Sequence, residues 1–125
     1  MSQFITDLCL KLHNNKDDGV WDVLSPLIYQ SDIAKTTFTV PVGFVTDLAS
    51  VPEVPVIFDL VGGKANKASV VHDYLCVKST LPRSLIDLVF LEAASVSGVP
   101  AWRRNLMYFG IRLHAAAKFI KQLWS

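Results

Sequence analysis

Four residues of this chain have types and surroundings suited to chemistry: Asp47, His72, Asp73 and Asp87. Asp47 lies within Gly43-Phe44-Val45-Thr46-Asp47-Leu48-Ala49-Ser50-Val51-Pro52, and His72-Asp73-Tyr74 begins 25 residues after it. Both segments set a carboxylate or an imidazole among apolar neighbours, where an unpaired polar group costs several kcal/mol. Partners are therefore expected, and two arrangements supply them. In one, Asp87 orients the His72 imidazole and leaves its other nitrogen to activate water or ligate a metal, while Asp73 and Asp47 act as ligands or electrostatic stabilisers. Asp47, His72 and Asp73 are then the candidate set for a divalent metal ion. Thr46, Ser50 and Tyr74, close to them in sequence, are the candidate substrate contacts. In the other arrangement Asp87 accepts a hydrogen bond from His72, Asp73 caps a backbone or pairs with a nearby Lys or Arg, and the cluster is a satisfied polar knot.

The elements that must position these groups follow from periodicity. Residues Lys64 to Val77 read as a helix with Ala68, Val71, Leu75 and Cys76 on its apolar face, entered through Gly62-Gly63. Ser79-Thr80-Leu81-Pro82 ends that helix and begins a second, Pro82 to Ser97, in which Asp87 and Glu92 are the two charges within the run Leu85 to Ala94. If the two fold back on each other about residue 80, Asp73 and Asp87 stand at equal distances from the turn. At about 1.5 Å per residue they share one level, roughly 10 Å from it. Asp87 is thus expected to meet His72-Asp73. Val61-Gly62-Gly63-Lys64 is not a phosphate loop, because the first Gly of that pattern is missing and Ala65 follows the Lys.

Upstream, the chain alternates with a period of two. Phe4, Thr6, Leu8, Leu10 and Leu12 share one parity, Asn14 to Gly19 reads as a turn, and Trp21, Val23, Leu27 and Tyr29 share a side, with Pro26 marking a bulge or an edge. Thr36 to Val42 alternates again, with Phe38, Val40 and Val42 inward, which makes about three antiparallel strands. Pro52 and Pro55 argue against a helix after Gly43, so Asp47 is expected in an ordered loop. Beyond Gly98-Val99-Pro100, Trp102, Leu106, Phe109, Leu113, Ala116, Ile120 and Leu123 recur at spacings of three and four, with Met107, Ile111, Ala115 and Phe119 as a second stripe. This is the pattern of a core helix. Arg112, His114, Lys118 and Lys121 interrupt it too often for a membrane span of about 20 apolar residues. Its end, with Lys118, Lys121 and Trp124, offers a membrane surface as the alternative to packing. Arg103-Arg104 reads as solvated charge at the helix start, or as a phosphate or carboxylate contact.

The expected fold is α+β: a small antiparallel N-terminal sheet packed with three C-terminal helices, residues 1–125 forming a single domain. Of 125 residues, 51% are hydrophobic and 18% charged, enough apolar material for a core. A net charge of +1 supplies no general field for a nucleic-acid backbone. Cys9 and Cys76, set among apolar residues without metal or disulfide spacing, read as buried thiols in a reducing compartment. The start Met1-Ser2-Gln3-Phe4 lacks the pattern of a signal peptide.

The segment Val40 to Pro52, followed by His72-Asp73-Tyr74-Leu75 and then Asp87 and Phe90, resembles a family of small proteins of tailed phages and prophages, catalogued as a domain of unknown function. The likeness runs from about Val40 to Gly110. It implies a shared fold and a phage setting, hence the bacterial host cytoplasm or the virion, and it brings no established activity. On these grounds the first function expected is a small hydrolase acting in lysis or host takeover, with His72 as base or ligand and Asp87 as its orienter. The second is a non-catalytic virion component or host-protein-binding module in which the Asp/His cluster is structural.

Overall fold

Alternating residues in the N-terminal half build two small antiparallel sheets instead of one. The computed structural model describes residues 1–17, 19–48 and 65–124. One sheet has the order β1 (Gln3–Phe4), β4 (Leu27–Ser31), β5 (Thr36–Val40), and the other β2 (Leu10–Leu12), β3 (Trp21–Val23), β6 (Val45–Thr46). The even-parity run from Phe4 to Leu12 is therefore shared between two sheets. Thr6 marks the break: its hydroxyl donates to the Pro26 carbonyl at 2.8 Å and accepts the Ile28 N–H at 2.9 Å. Pro26, with no N–H of its own, likewise separates β3 from β4. The expected turn joins β2 to β3, with Asn14, Asn15 and Gly19 at positive φ.

Three helices follow: α1 (Asn66–Lys78), α2 (Arg83–Val96) and α3 (Ala101–Trp124). The first two match the periodicity to within two residues. Gly98, at φ +85°, closes α2 in a left-handed turn that an L side chain disfavours, and the Val99 N–H returns to the Ala94 carbonyl at 3.1 Å. The core lies where the sheets meet the helices, with Val23, Leu27, Tyr29 and Val40 packed on Val71, Leu75, Val89 and Phe90. Glu92 fastens α2 to the β4–β5 hairpin. Its Oε1 accepts from the Tyr29 and Ser31 hydroxyls, both at 2.7 Å, and its Oε2 from the Ile33 N–H at 2.9 Å.

Several side chains lie elsewhere than their pattern predicts. Val42 is exposed, since β5 ends at Val40 and the chain turns away. Cys9 and Cys76 are exposed thiols, Cys76 because the helix face it shares with His72 reaches the surface in the last turn of α1. Arg103, expected in solvent, is buried at 1% exposure beside Met107 and Ile111 on the core-facing side of α3. The stripe expected to bury α3 points outward instead: Trp102, Phe109, Leu113, Ile120 and Leu123 are between 53% and 68% exposed. Periodicity reports an apolar face, and the core here is covered by Met107 and Ile111 of the second stripe, whose last member, Phe119, is 61% exposed where α3 runs past the body of the protein.

Candidate functional site

The antiparallel pairing of α1 and α2 brings His72 and Asp87 to one level. The His72 Nε2 lies 2.7 Å from Asp87 Oδ1, and the two side chains are 2% and 0% exposed. Two further groups converge on the same carboxylate. Arg83 Nε, one turn earlier on α2, donates to Oδ1 at 2.8 Å, and Arg112 Nη1, from α3, donates to Oδ2 at 2.7 Å. Burial pushes the Asp87 carboxyl up, but hydrogen bonds from His72, Arg83 and Arg112 outweigh it and hold it below the usual carboxylate range. Asp87 is accordingly an ionised acceptor, which assigns a proton to His72 Nε2. Cys76 Sγ lies over the ring, 3.8 Å from Nδ1 and 3.9 Å from Nε2, and Phe90 meets the ring edge-to-face at 5.5 Å.

Asp73 leaves this cluster. It follows His72 by about 100° around α1 and turns toward β6, where it takes a hydrogen bond from Thr46 and lies within the field of Asp47. Burial raises its pKa, the Thr46 bond opposes that, and the charge of Asp47 adds to the rise. The partner Asp73 has is the Thr46 hydroxyl, where a cap or a neighbouring Lys or Arg is one expectation. Asp47 is exposed, and Thr46 is buried at 1% exposure, its hydroxyl accepting the Leu48 N–H at 3.2 Å. Tyr74 is half-buried with its ring edge-on to Phe44 at 5.2 Å. Ser50, like the rest of the stretch from Ala49 to Lys64 that includes Gly62-Gly63, lies outside the described residues.

The four candidates thus divide into a sealed pair, His72 with Asp87, and a more open pair, Asp73 with Asp47. For a hydrolytic base this division is unfavourable. A base must reach a proton on substrate or water, and His72 has one nitrogen on Asp87 and almost no exposed surface. A groove of about 270 Å³ beside the knot is lined by Cys76, Arg83, Ile86 and Lys118, with neither His72 nor Asp87 in its wall. Among the described residues, Asp47, His72 and Asp73 included, no three of the His, Cys, Asp and Glu side chains are grouped to hold a metal ion. Elsewhere, His13 pairs with Asp22 at 2.6 Å, a surface contact that turns it away from the cluster.

Sequence reasoning missed the two arginines that complete the knot. Arg83, four residues before Asp87 on one helix, was detectable as an i,i+4 pair. Arg112 lies 25 residues away on another helix, and nothing local marks it.

Comparison with known proteins places these elements in a family without an assigned activity. A family model described as a protein of unknown function, DUF1353, matches residues 21–111, which take in β3 through the first half of α3. An uncharacterized protein of Sinorhizobium fredii, y4jT, is 32% identical over 76 residues, 58% of this chain. The aligned region covers 22% of that longer relative. No solved structure matches.

Proposed function

We propose that this chain, which belongs to the DUF1353 family of proteins of unknown function, is a non-catalytic interaction module that presents α3 to a partner. The observation that carries the reading is the outward apolar stripe of α3. Five of its large side chains are more than half exposed along one line of the helix, and from Ala116 to Trp124 the helix is exposed all round, Phe119 included, whereas scattered single apolar residues are the ordinary condition of a surface. The His72–Asp87 pair supports the same reading. With Arg83 and Arg112 it ties α1, α2 and α3 together, which makes it a scaffold for the helix that carries the stripe. The likeness of Val40–Pro52 and His72–Leu75 to phage and prophage proteins adds the setting: a virion component or a binder of host structures.

Replacing Phe109, Leu113 and Ile120 together by Ser tests it. In an interaction module the unfolding midpoint stays where it is in the parent, and binding of an environment-sensitive apolar dye to the native protein falls. A large loss of stability instead means that the stripe belongs to the fold, which overturns the proposal.

A hydrolase of lysis or host takeover is the second reading, and the pair Asp47–Asp73 is what favours it. A half-buried carboxyl with a raised pKa beside an exposed carboxylate is an arrangement used for acid–base work. His72 and Asp87 have no part in that version. Loss of a hydrolytic activity in folded Asp47→Asn and Asp73→Asn variants, with the Phe109, Leu113 and Ile120 variant fully active, would favour it over the module.

A further inference from the structure

We infer that the partner surface of α3 is an anionic lipid bilayer, on which the helix lies flat. The inference rests on the interaction reading above and names its partner. Charge selects it. α3 has five basic residues and no acidic one; Arg112 is paired with Asp87 and Arg103 is buried, which leaves Arg104, Lys118 and Lys121 as its outward charge, +3 against a net −2 on the rest of a chain of net charge +1. Such asymmetry is an attractive field for a negative surface on one side of the molecule and a repulsive one on the other.

The distribution of side chains along α3 agrees. The helix spans about 36 Å at 1.5 Å per residue. Its outward stripe begins at Trp102 and ends at Trp124, respectively 58% and 85% exposed, with Phe109, Leu113 and Ile120 between them. Indole rings favour the level of lipid headgroups, where an apolar body and an N–H are both satisfied. Across the helix from the stripe, the outer turns expose His114, Lys118 and Lys121. An apolar face with aromatic residues, backed by Lys, is the composition of a helix lying in the interface. No described helix is long and apolar enough to cross a membrane.

A second copy of the chain is the competing occupant, because spacings of four and three from Trp102 to Leu123 also suit a helix–helix seam. The positions that flank such a seam lack any carboxylate, and Arg112 among them is already paired with Asp87, so no salt bridge would join two α3 helices, while Lys118 and Lys121 of the two copies would add like charge. The bilayer meets both the stripe and the charge.

The test is co-sedimentation of the whole chain with vesicles of phosphatidylcholine alone and of phosphatidylcholine with phosphatidylglycerol, at low and high salt. Preferential binding to the anionic vesicles is expected, weakened by salt. Lys118→Glu/Lys121→Glu is expected to reduce that partitioning by about tenfold or more, since each basic residue near the surface contributes about 1 kcal/mol. The Phe109, Leu113 and Ile120 to Ser variant is expected to abolish it. Equal binding to both vesicle types, or binding to neither, overturns the inference. A stable dimer in sedimentation, dissolved by the Ser variant and indifferent to vesicles, also overturns it, and leaves the interaction reading standing with a second copy as partner. If the Ser variant instead unfolds, the interaction reading itself fails.

Discussion

Asp87 and Arg112, 25 residues apart and on different helices, meet at 2.7 Å through Oδ2 and Nη1. The contact decides how α3 is held. The Asp87 side chain is fully buried, and its two oxygens take three nitrogen donors, from His72 on α1, Arg83 on α2 and Arg112 on α3. An ionised carboxylate so placed is stable because charge-assisted bonds replace its lost hydration. The arginine stems reach partly exposed surface, so the knot is sealed toward His72 and open only along its arginines.

Asp87→Asn should therefore act on stability. The amide keeps the shape, removes the charge that both arginines face, and presents an NH₂ to groups that are themselves donors. A loss of about 3–5 kcal/mol is expected, the range for breaking a buried ion pair by removing one partner. Denaturant unfolding of the variant beside the parent measures it. A loss below about 0.5 kcal/mol, the scale of an ordinary surface change, would refute the knot as a structural fastener.

The level at which His72 and Asp87 meet was legible in the sequence because it follows from helix rise and a tight turn at residue 80. The same logic failed for Asp73, for which adjacency in sequence means a different direction on a helix. The direction of α3 was not legible either. Its Trp102 stripe is wider and more apolar than the Met107–Ile111 side that packs inward, and a pattern along one helix carries no record of what lies opposite. Two sheets in place of one is a third case, since alternation through Thr6 continues across a break made by a side-chain hydrogen bond.

Acid should unfold the protein through Asp87 and Glu92. Both have pKa values lowered in the folded state, from ordinary values of 3.8 and 4.5. A depressed value means that the folded form holds the carboxylate better than the unfolded chain does. Their contribution is complete above the ordinary values and is lost as pH falls through the folded ones. Thermal midpoints should be flat from pH 7 to about 5 and drop steeply below about 4. A protein equally stable at pH 7 and pH 2 would contradict this.

Asp73 should behave in the opposite sense. Its pKa is raised by burial and by Asp47, so its contribution is complete below 3.8 and lost as pH rises through the folded value. At neutral pH the ionised group is a burden on the fold. Asp73→Asn keeps an oxygen to accept the Thr46 hydroxyl and removes the charge, so it should stabilise the neutral protein. The gain should vanish near pH 3. Thermal unfolding of parent and variant at the two pH values gives the comparison, and a variant less stable than the parent at pH 7 would assign Asp73 a partner that needs its charge.

Tyr29→Phe probes the fastening of α2 to the hairpin. The Tyr29 side chain is buried, and its hydroxyl is one of two that donate to Glu92 Oε1. Burial raises the Tyr29 pKa, and the Glu92 carboxylate raises it further, so the hydroxyl stays protonated and serves as a donor. Removing it leaves Glu92 with Ser31 and the Ile33 N–H, a cost of about 1–3 kcal/mol for a hydrogen bond to a partly buried charge. Glu92→Gln should cost at least as much, because it removes the charge that all three donors face and sets an NH₂ against either the Ile33 N–H or the two hydroxyls, which would have to turn and accept. If the two changes act through one contact, the double variant should lose less than the sum of the single losses. Strict additivity in a double-mutant cycle would show that Tyr29 stabilises the sheet through its ring against Phe4, 4.5 Å away, and not through Glu92.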